Sequence, residues 1–118
     1  SPEALCRVQE VLAPDAVQLD TGKQIRLLGV RSVADQRRQA EARLRELTGG
    51  QRVYLRYDAA CADGSSGGDG VPLVYLYLRN KTPVNRHLIR SGLVDVDTSR
   101  DYRFKRAFLD EKNRAENS

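Results

Sequence analysis

Residues 25–30, Ile-Arg-Leu-Leu-Gly-Val, constrain this chain more than any other stretch, because as extended backbone they present apolar groups on both sides. Side chains alternate across a strand, so Ile25, Leu27 and Gly29 would share one face and Arg26, Leu28 and Val30 the other. A strand of that kind belongs inside a sheet and not at its edge. The stretch also carries Arg26 and runs out into the loop-forming Arg31-Ser32. An arginine in such surroundings is either a satisfied core cation or a clamp for an anion exposed at a groove.

The neighbouring segments say what surrounds it. Residues 4–12 read as a strand, with Ala4, Cys6 and Val8 on one face and Leu5 and Val11 on the other. Ala13-Pro14-Asp15 interrupts that strand, since proline donates nothing to a ladder. Residues 16–19 resume it, and Asp20-Thr21-Gly22-Lys23 has the chemistry of a hairpin connection. The stretch 24–32 is then the return strand of an antiparallel meander.

Downstream, 35–48 is expected to be helical, with Ala40, Leu44 and Leu47 as its apolar stripe and Gly49-Gly50 as its stop. Arg37, Arg38, Glu41, Arg45 and Glu46 on its other faces read as solvated. Residues 52–57 alternate, placing Val53, Leu55 and Tyr57 inward and Arg52, Tyr54 and Arg56 outward. The Gly/Ser-rich run 59–70 predicts a mobile loop, and its aspartates lack the ligand density of a calcium loop. Residues 73–78, apolar on both faces, form the last strand. Thr82-Pro83 reads as cap and first-turn proline of a helix that stops at Gly92. A final helix from about Ser99 carries Phe104, Phe108, Glu111 and Ala115, with 113–118 expected to fray. Phe104 and Phe108 read as core anchors. His87, the one histidine, has no second histidine or nucleophile near it in sequence and reads as structural.

Three strands, a helix, two strands and two helices describe a mainly β, α+β domain. The architecture this order predicts is a five-stranded Greek-key barrel of the oligonucleotide/oligosaccharide-binding (OB) type. A chain of 118 residues makes one domain, 1–118, able to bury a core without metals or disulfides.

Composition narrows the ligand class. Apolar residues at 40% and charged residues at 31% exclude a disordered chain. The longest apolar run falls far short of the roughly 20 residues of a membrane-spanning helix. Net charge is +4, and sixteen of the twenty basic residues are arginine, whose planar fork suits carboxylates and phosphates. Cys6 and Cys61 have no metal or redox spacing; they read as free thiols, or as one disulfide in a secreted setting. The start, Ser1-Pro2-Glu3, has no basic-then-apolar leader, as expected where a targeting segment, if there was one, has been removed.

Four runs, in order, resemble the staphylococcal nuclease (thermonuclease) family. They are Arg26-Leu27-Leu28-Gly29-Val30; Ala40…Leu44…Leu47…Gly50-Gln51-Arg52-Val53; Gly70-Val71-Pro72-Leu73-Val74-Tyr75-Leu76-Tyr77; and Val84-Asn85-x-x-Leu88-Ile89-Arg90-x-Gly92-Leu93. The likeness spans nearly the whole chain. It implies the same barrel and, for the family's chemistry, calcium-assisted hydrolysis of nucleic-acid phosphodiesters. That reaction needs two metal-binding aspartates, a glutamate for the attacking water and two arginines on the phosphate.

Carried over position by position, the resemblance keeps Asp15 as a metal aspartate and Arg26 as the first phosphate arginine. The second aspartate falls on Arg31, the glutamate on Ala34 and the second phosphate arginine on Val71. Asp35 lies near enough in sequence to be recruited, whereas Arg79 lies too far along its strand. With a guanidinium where a carboxylate should hold calcium, Arg31 would repel the ion. The implied protein is a nuclease-like domain with a degraded calcium site, leaning away from catalysis and needing no cofactor. It would bind a nucleic-acid backbone through Arg26, Arg31, Arg52 and Arg56, with Tyr54 for stacking, or else bind a protein. The alternative is a weakly active calcium-dependent nuclease. Regular alternation would aim Arg26 and Arg31 at opposite faces, whereas the family's pattern turns Arg31 back toward Asp15, either as an ordinary surface ion pair or with its charge taking the ion's place. By family habit the chain would be a monomeric domain of a longer, secreted or cell-envelope protein.

Overall fold

A computed structural model describes residues 5–58 and 71–117. The expected loop 59–70 with Cys61, and the strand start at Ala4, lie outside the described residues. The elements are β1 (Cys6–Ala13), β2 (Ala16–Leu19), β3 (Gln24–Leu27), β4 (Val30–Ser32), a 3-10 turn (Ala34–Gln36) leading into α1 (Arg37–Thr48), β5 (Arg52–Arg56), β6 (Leu73–Leu78), α2 (Val84–Arg90), β7 (Val94–Val96) and α3 (Lys105–Asn117). None of the described helices is long and apolar enough to cross a membrane.

Five strands close a barrel in the order β1-β2-β3-β6-β5, and β4 with β7 forms a separate two-stranded sheet. All the barrel pairs are antiparallel except β3 with β6, where Arg26 faces Leu73 and Leu27 faces Val74. The barrel closes where Cys6 meets Val53 and Arg7 meets Arg52. This is the OB-type barrel that the order of elements predicts. Its inward-pointing set follows from strand alternation, and Val17, Ile25, Leu27, Val53, Val74 and Leu76 are all fully buried. α1 lays Ala40, Leu44 and Thr48 against the barrel, as its stripe requires.

The stretch 24–32 is not one strand. β3 ends at Leu27, and Gly29 takes φ +81°, a left-handed conformation that β-carbon-bearing residues avoid. A Cβ there would lie 2.7 Å from the Phe108 ring and 2.8 Å from that of Tyr102. Beyond this bend the chain leaves the barrel as β4, and Val30 pairs with Val96. The apolar character on both sides therefore comes from a strand that changes layers. Ile25 and Leu27 fill the barrel, while Leu28 and Val30 are buried where β4 meets α2.

Asn85 makes that change of layer possible. Its Nδ2 donates to the carbonyls of Leu28 (2.8 Å) and Val74 (3.1 Å), and its Oδ1 accepts from the Leu76 N–H at 2.9 Å. The backbone rungs Arg26 N–H to Pro72 and Leu28 N–H to Val74 stop at the bend. The Asn85 amide then serves as the next rung, so α2 completes the β3–β6 ladder with a side chain. On the opposite side of α2, Glu111 of α3 is 2% exposed and accepts from Arg86 Nε (2.9 Å) and Arg90 Nη2 (3.2 Å).

Several boundaries differ from the sequence reading. β7 follows the expected last strand; its Val94-Asp95-Val96 alternation is short but pairs fully with β4. The final helix starts at Lys105, not near Ser99, because non-helical hydrogen bonds hold the residues ahead of it. Tyr102 Oη donates to the Asp97 carbonyl (2.7 Å), and the Arg103 N–H donates to Asp58 Oδ2 (2.7 Å). α3 stays helical through Asn117 where fraying is expected from 113 onward. Pro83, not Thr82, caps α2, since the Thr82 hydroxyl donates to Asn80 Oδ1 at 2.7 Å. Tyr57 does not point inward. The strand stops at Arg56, and Tyr57 is 50% exposed with its hydroxyl accepting from Lys23 Nζ at 2.8 Å.

Candidate functional site

Asp15 occupies the two-residue turn between β1 and β2, where Ala13 pairs with Ala16. Its carbonyl accepts from the Leu27 N–H at 2.7 Å, and Ala16 lies across from Arg26, so the turn places Asp15 beside that arginine. Arg37 at the start of α1 and Asp97 just after β7 also act on its carboxylate. Burial is the largest influence and pushes the Asp15 pKa above the ordinary aspartate range. Its own backbone N–H, Arg26 and Arg37 pull the other way, and Asp97 adds to the rise. The fold thus brings Asp15 and Arg26 together and adds Arg37, which the sequence presents as one more solvated helix cation.

Arg31 lies elsewhere. From β4 its Nη2 donates to Asp95 Oδ2 of β7 at 2.6 Å, across a directly opposed pair. The expected Asp15–Arg31 pairing is therefore overturned, because Asp95, on a strand the sequence reading omits, takes the guanidinium. The Arg31 hydrogen bond is also what chiefly holds the Asp95 carboxyl below its usual range. With 66% of the Arg31 side chain in water, this is a surface ion pair worth at most about 1 kcal/mol. Ala34 opens the exposed 3-10 turn that includes Asp35, and Val71 precedes β6 in a half-buried position.

Calcium takes six to eight oxygen ligands. Among the described residues, no group of three or more His, Cys, Asp or Glu side chains comes together to hold a metal. Asp97, the carboxylate among the described residues that acts on Asp15, has its Oδ1 committed to the Ser99 N–H (2.9 Å) and hydroxyl (2.6 Å). The residues around Asp15 do not fit a calcium ion.

A second, larger feature lies on the outside of the barrel. Residues directly opposite in antiparallel strands project to the same side. Val53 is inward, so Arg52, Tyr54 and Arg56 project outward, together with their partners Arg7, Tyr77 and Tyr75. The Arg56 guanidinium lies over the Tyr54 ring, 5.9 Å from its centroid, and the Tyr54 and Tyr77 rings are 5.3 Å apart. Tyr75 is sealed under Phe104, whose ring meets it edge-on at 5.1 Å, and its hydroxyl donates to Asp58 Oδ2 at 2.6 Å. Burial, followed by that hydrogen bond, raises the Tyr75 pKa far above the ordinary range. Beyond Tyr77 the surface becomes a groove of about 470 Å3 walled by Arg56, Tyr57, Arg103 and Phe104.

The structure keeps Arg52, Tyr54 and Arg56 on one face and puts Arg26 two strands away, on β3. Arg31 is on the other sheet altogether, paired to an acid. Arg7, Tyr77 and Arg103 join the first three, and the sequence reading misses them. For Arg7 the signal is its alternation with Cys6 and Val8, but only the closure of β1 on β5 reveals that it faces Arg52. Arg103 is recruited by the Asp58 contact, which no local pattern announces. No protein-family model and no curated protein matches this sequence.

Proposed function

We propose that this chain is a non-catalytic relative of the staphylococcal nucleases that binds the backbone of a nucleic acid. The observation that carries the reading is the outward face of β5. Arg7 and Arg52 stand directly opposite each other there, and Arg56 lies along Tyr54. Among the described residues no carboxylate is ion-paired to any of the three. Like charges directly opposite weaken a strand pair, and a phosphate between them reverses the sign of that interaction. Arginine beside a half-buried tyrosine also suits the alternation of phosphate and base in a nucleic-acid strand.

Hydrolysis is the less favoured reading, for a reason of charge. Phosphodiester cleavage on the family's plan needs a cation held by several oxygens and a second arginine on the phosphate. Around Asp15 the surrounding charges are chiefly guanidinium groups, and Val71 has no charge to offer the phosphate. The Asp15 carbonyl, which accepts from the Leu27 N–H, then serves to hold the β1–β2 turn on β3.

A fluorescent oligonucleotide and a plasmid, each with calcium and with EDTA, test the reading. Expected are binding that is indifferent to EDTA and plasmid that stays intact. Calcium-dependent cleavage abolished by Asp15→Ala would restore the nuclease reading. Intact plasmid with no oligonucleotide binding would leave a protein as the occupant of this face.

A further inference from the structure

The groove beyond Tyr77 has features that a backbone-binding face alone does not need. Its volume, about 470 Å3, lies within the usual range for small-ligand pockets. Aromatic rings line it: Tyr77 from β6, Phe104 from the segment ahead of α3 and Tyr57 at the end of β5. Tyr57 is one of two large hydrophobic side chains exposed among the described residues, and Lys23 holds it in place through its hydroxyl.

Two guanidinium groups reach the same space. The Arg103 guanidinium lies over the Phe104 ring, 5.3 Å from its centroid, and Arg56 over Tyr54 from the other side. Both line the groove with Tyr77 and act on its hydroxyl, and among the described residues neither is ion-paired. Asp58, the one carboxylate lining the groove among the described residues, is 6% exposed. Its Oδ2 already accepts from the Tyr75 hydroxyl and the Arg103 N–H. Those bonds hold the Arg103–Phe104 wall against the barrel.

We infer that this groove accepts one unpaired nucleotide, its base against Tyr57, Tyr77 and Phe104 and its phosphate between Arg56 and Arg103. The inference rests on the nucleic-acid reading and makes it more specific, since it commits the protein to single strands. A base inside a duplex is stacked and paired, and its faces are closed to side chains. An unpaired base offers both faces, and aromatic side chains take it without regard to sequence. Arg7 and Arg52 lie outside the groove at the far end of the same face, where they meet the neighbouring phosphates of either a single strand or a duplex.

The test combines amide NMR of the chain titrated with uridine 5′-monophosphate and anisotropy with a labelled oligothymidylate and a hairpin duplex. Both are repeated with Tyr57→Leu and Arg103→Gln, substitutions at exposed side chains whose variants are checked for wild-type thermal unfolding. Expected are shifts at Tyr57, Tyr77, Arg103 and Phe104 with the mononucleotide and tighter binding of the single strand than of the duplex. Each substitution should weaken oligothymidylate roughly five- to a hundredfold and leave the duplex unchanged. Equal affinity for both oligonucleotides, with the two variants behaving as wild type, overturns the groove while the backbone reading stands. Mononucleotide shifts in the groove with no oligonucleotide bound support the groove and refute the backbone reading. A mononucleotide that leaves all four amides unmoved, with both variants behaving as wild type toward oligothymidylate, overturns the groove outright.

Discussion

Replacing Asn85 with alanine should be among the costliest single changes this domain tolerates. The side chain is 2% exposed and fills the place of a strand residue where β3 has turned away at Gly29. Its loss removes three hydrogen bonds, and the bookkeeping differs for each. Val74 keeps a partner for its carbonyl, because the Leu28 N–H still donates to it at 2.9 Å. The Leu28 carbonyl and the Leu76 N–H lose the partner that Asn85 gave them. A buried backbone group left unsatisfied costs about 1–3 kcal/mol, so the two together cost roughly 2–6 kcal/mol. Water entering the space left by the amide moves the result toward the lower end. Against a domain stability of roughly 5–15 kcal/mol, the midpoint of urea unfolding followed by far-UV circular dichroism should fall sharply with little change in slope. Asn85→Asp should also be damaging, because it replaces the donor to Leu28 and Val74 with an acceptor. A loss below about 1 kcal/mol in Asn85→Ala would refute the idea that this amide completes the ladder.

Gly29→Ala should cost roughly 2–5 kcal/mol in the same assay, from the positive φ and the collision with Phe108 and Tyr102; a near-neutral result would mean the bend relaxes freely. Leu44→Ala and Phe108→Ala, 0% and 3% exposed, should each cost about 2–5 kcal/mol, and a change within about 0.5 kcal/mol would place the residue at the surface. The Arg90 and Arg86 hydrogen bonds hold the Glu111 carboxyl below its ordinary 4.5, so its stabilisation is present above that value and is lost as pH falls through the lower folded pKa. Glu111→Gln should accordingly flatten the acid limb of the stability–pH curve, and an unchanged limb would contradict the clamp. Asp15 has the opposite sign: its raised pKa means stability declines as pH rises from the ordinary 3.8 through the folded value. Asp15→Asn should therefore melt higher than wild type at neutral pH and match it at low pH, and a lower melting temperature at neutral pH would show that Arg26 and Arg37 outweigh burial.

The barrel was legible because each of its strands carries its own pattern. The hairpin chemistry at Asp20–Lys23 and the alternation through Val53 are local signals, and the sheet obeys them. What the sequence concealed were the places where contacts distant in sequence override a local pattern. Gly29 within an apolar run is a recognisable mark of a bend, yet only its contact with Phe108 and Tyr102 shows why the strand must leave the barrel. Three residues, Val94-Asp95-Val96, are too few to announce a strand, and without β7 the partner of Arg31 could not be foreseen. The helical periodicity ahead of Lys105 gives way to Asp58, a residue more than forty positions earlier that fixes Arg103 in place. For the same reason the face formed by Arg7, Arg52 and Arg56 needed the closed barrel before it could be read as one surface.

The salt dependence of oligonucleotide binding tests the central claim most directly. Four arginines, Arg7, Arg52, Arg56 and Arg103, face a single strand in this account. At roughly 0.7 counterions released per phosphate contact, the logarithm of the association constant should fall with the logarithm of salt concentration at a slope of about −3. The double variant Arg7→Gln/Arg52→Gln should bring the slope to about −1.4 while the fold is retained. A wild-type slope near zero, or one unchanged in the double variant, would contradict the assignment of this face to a nucleic-acid backbone.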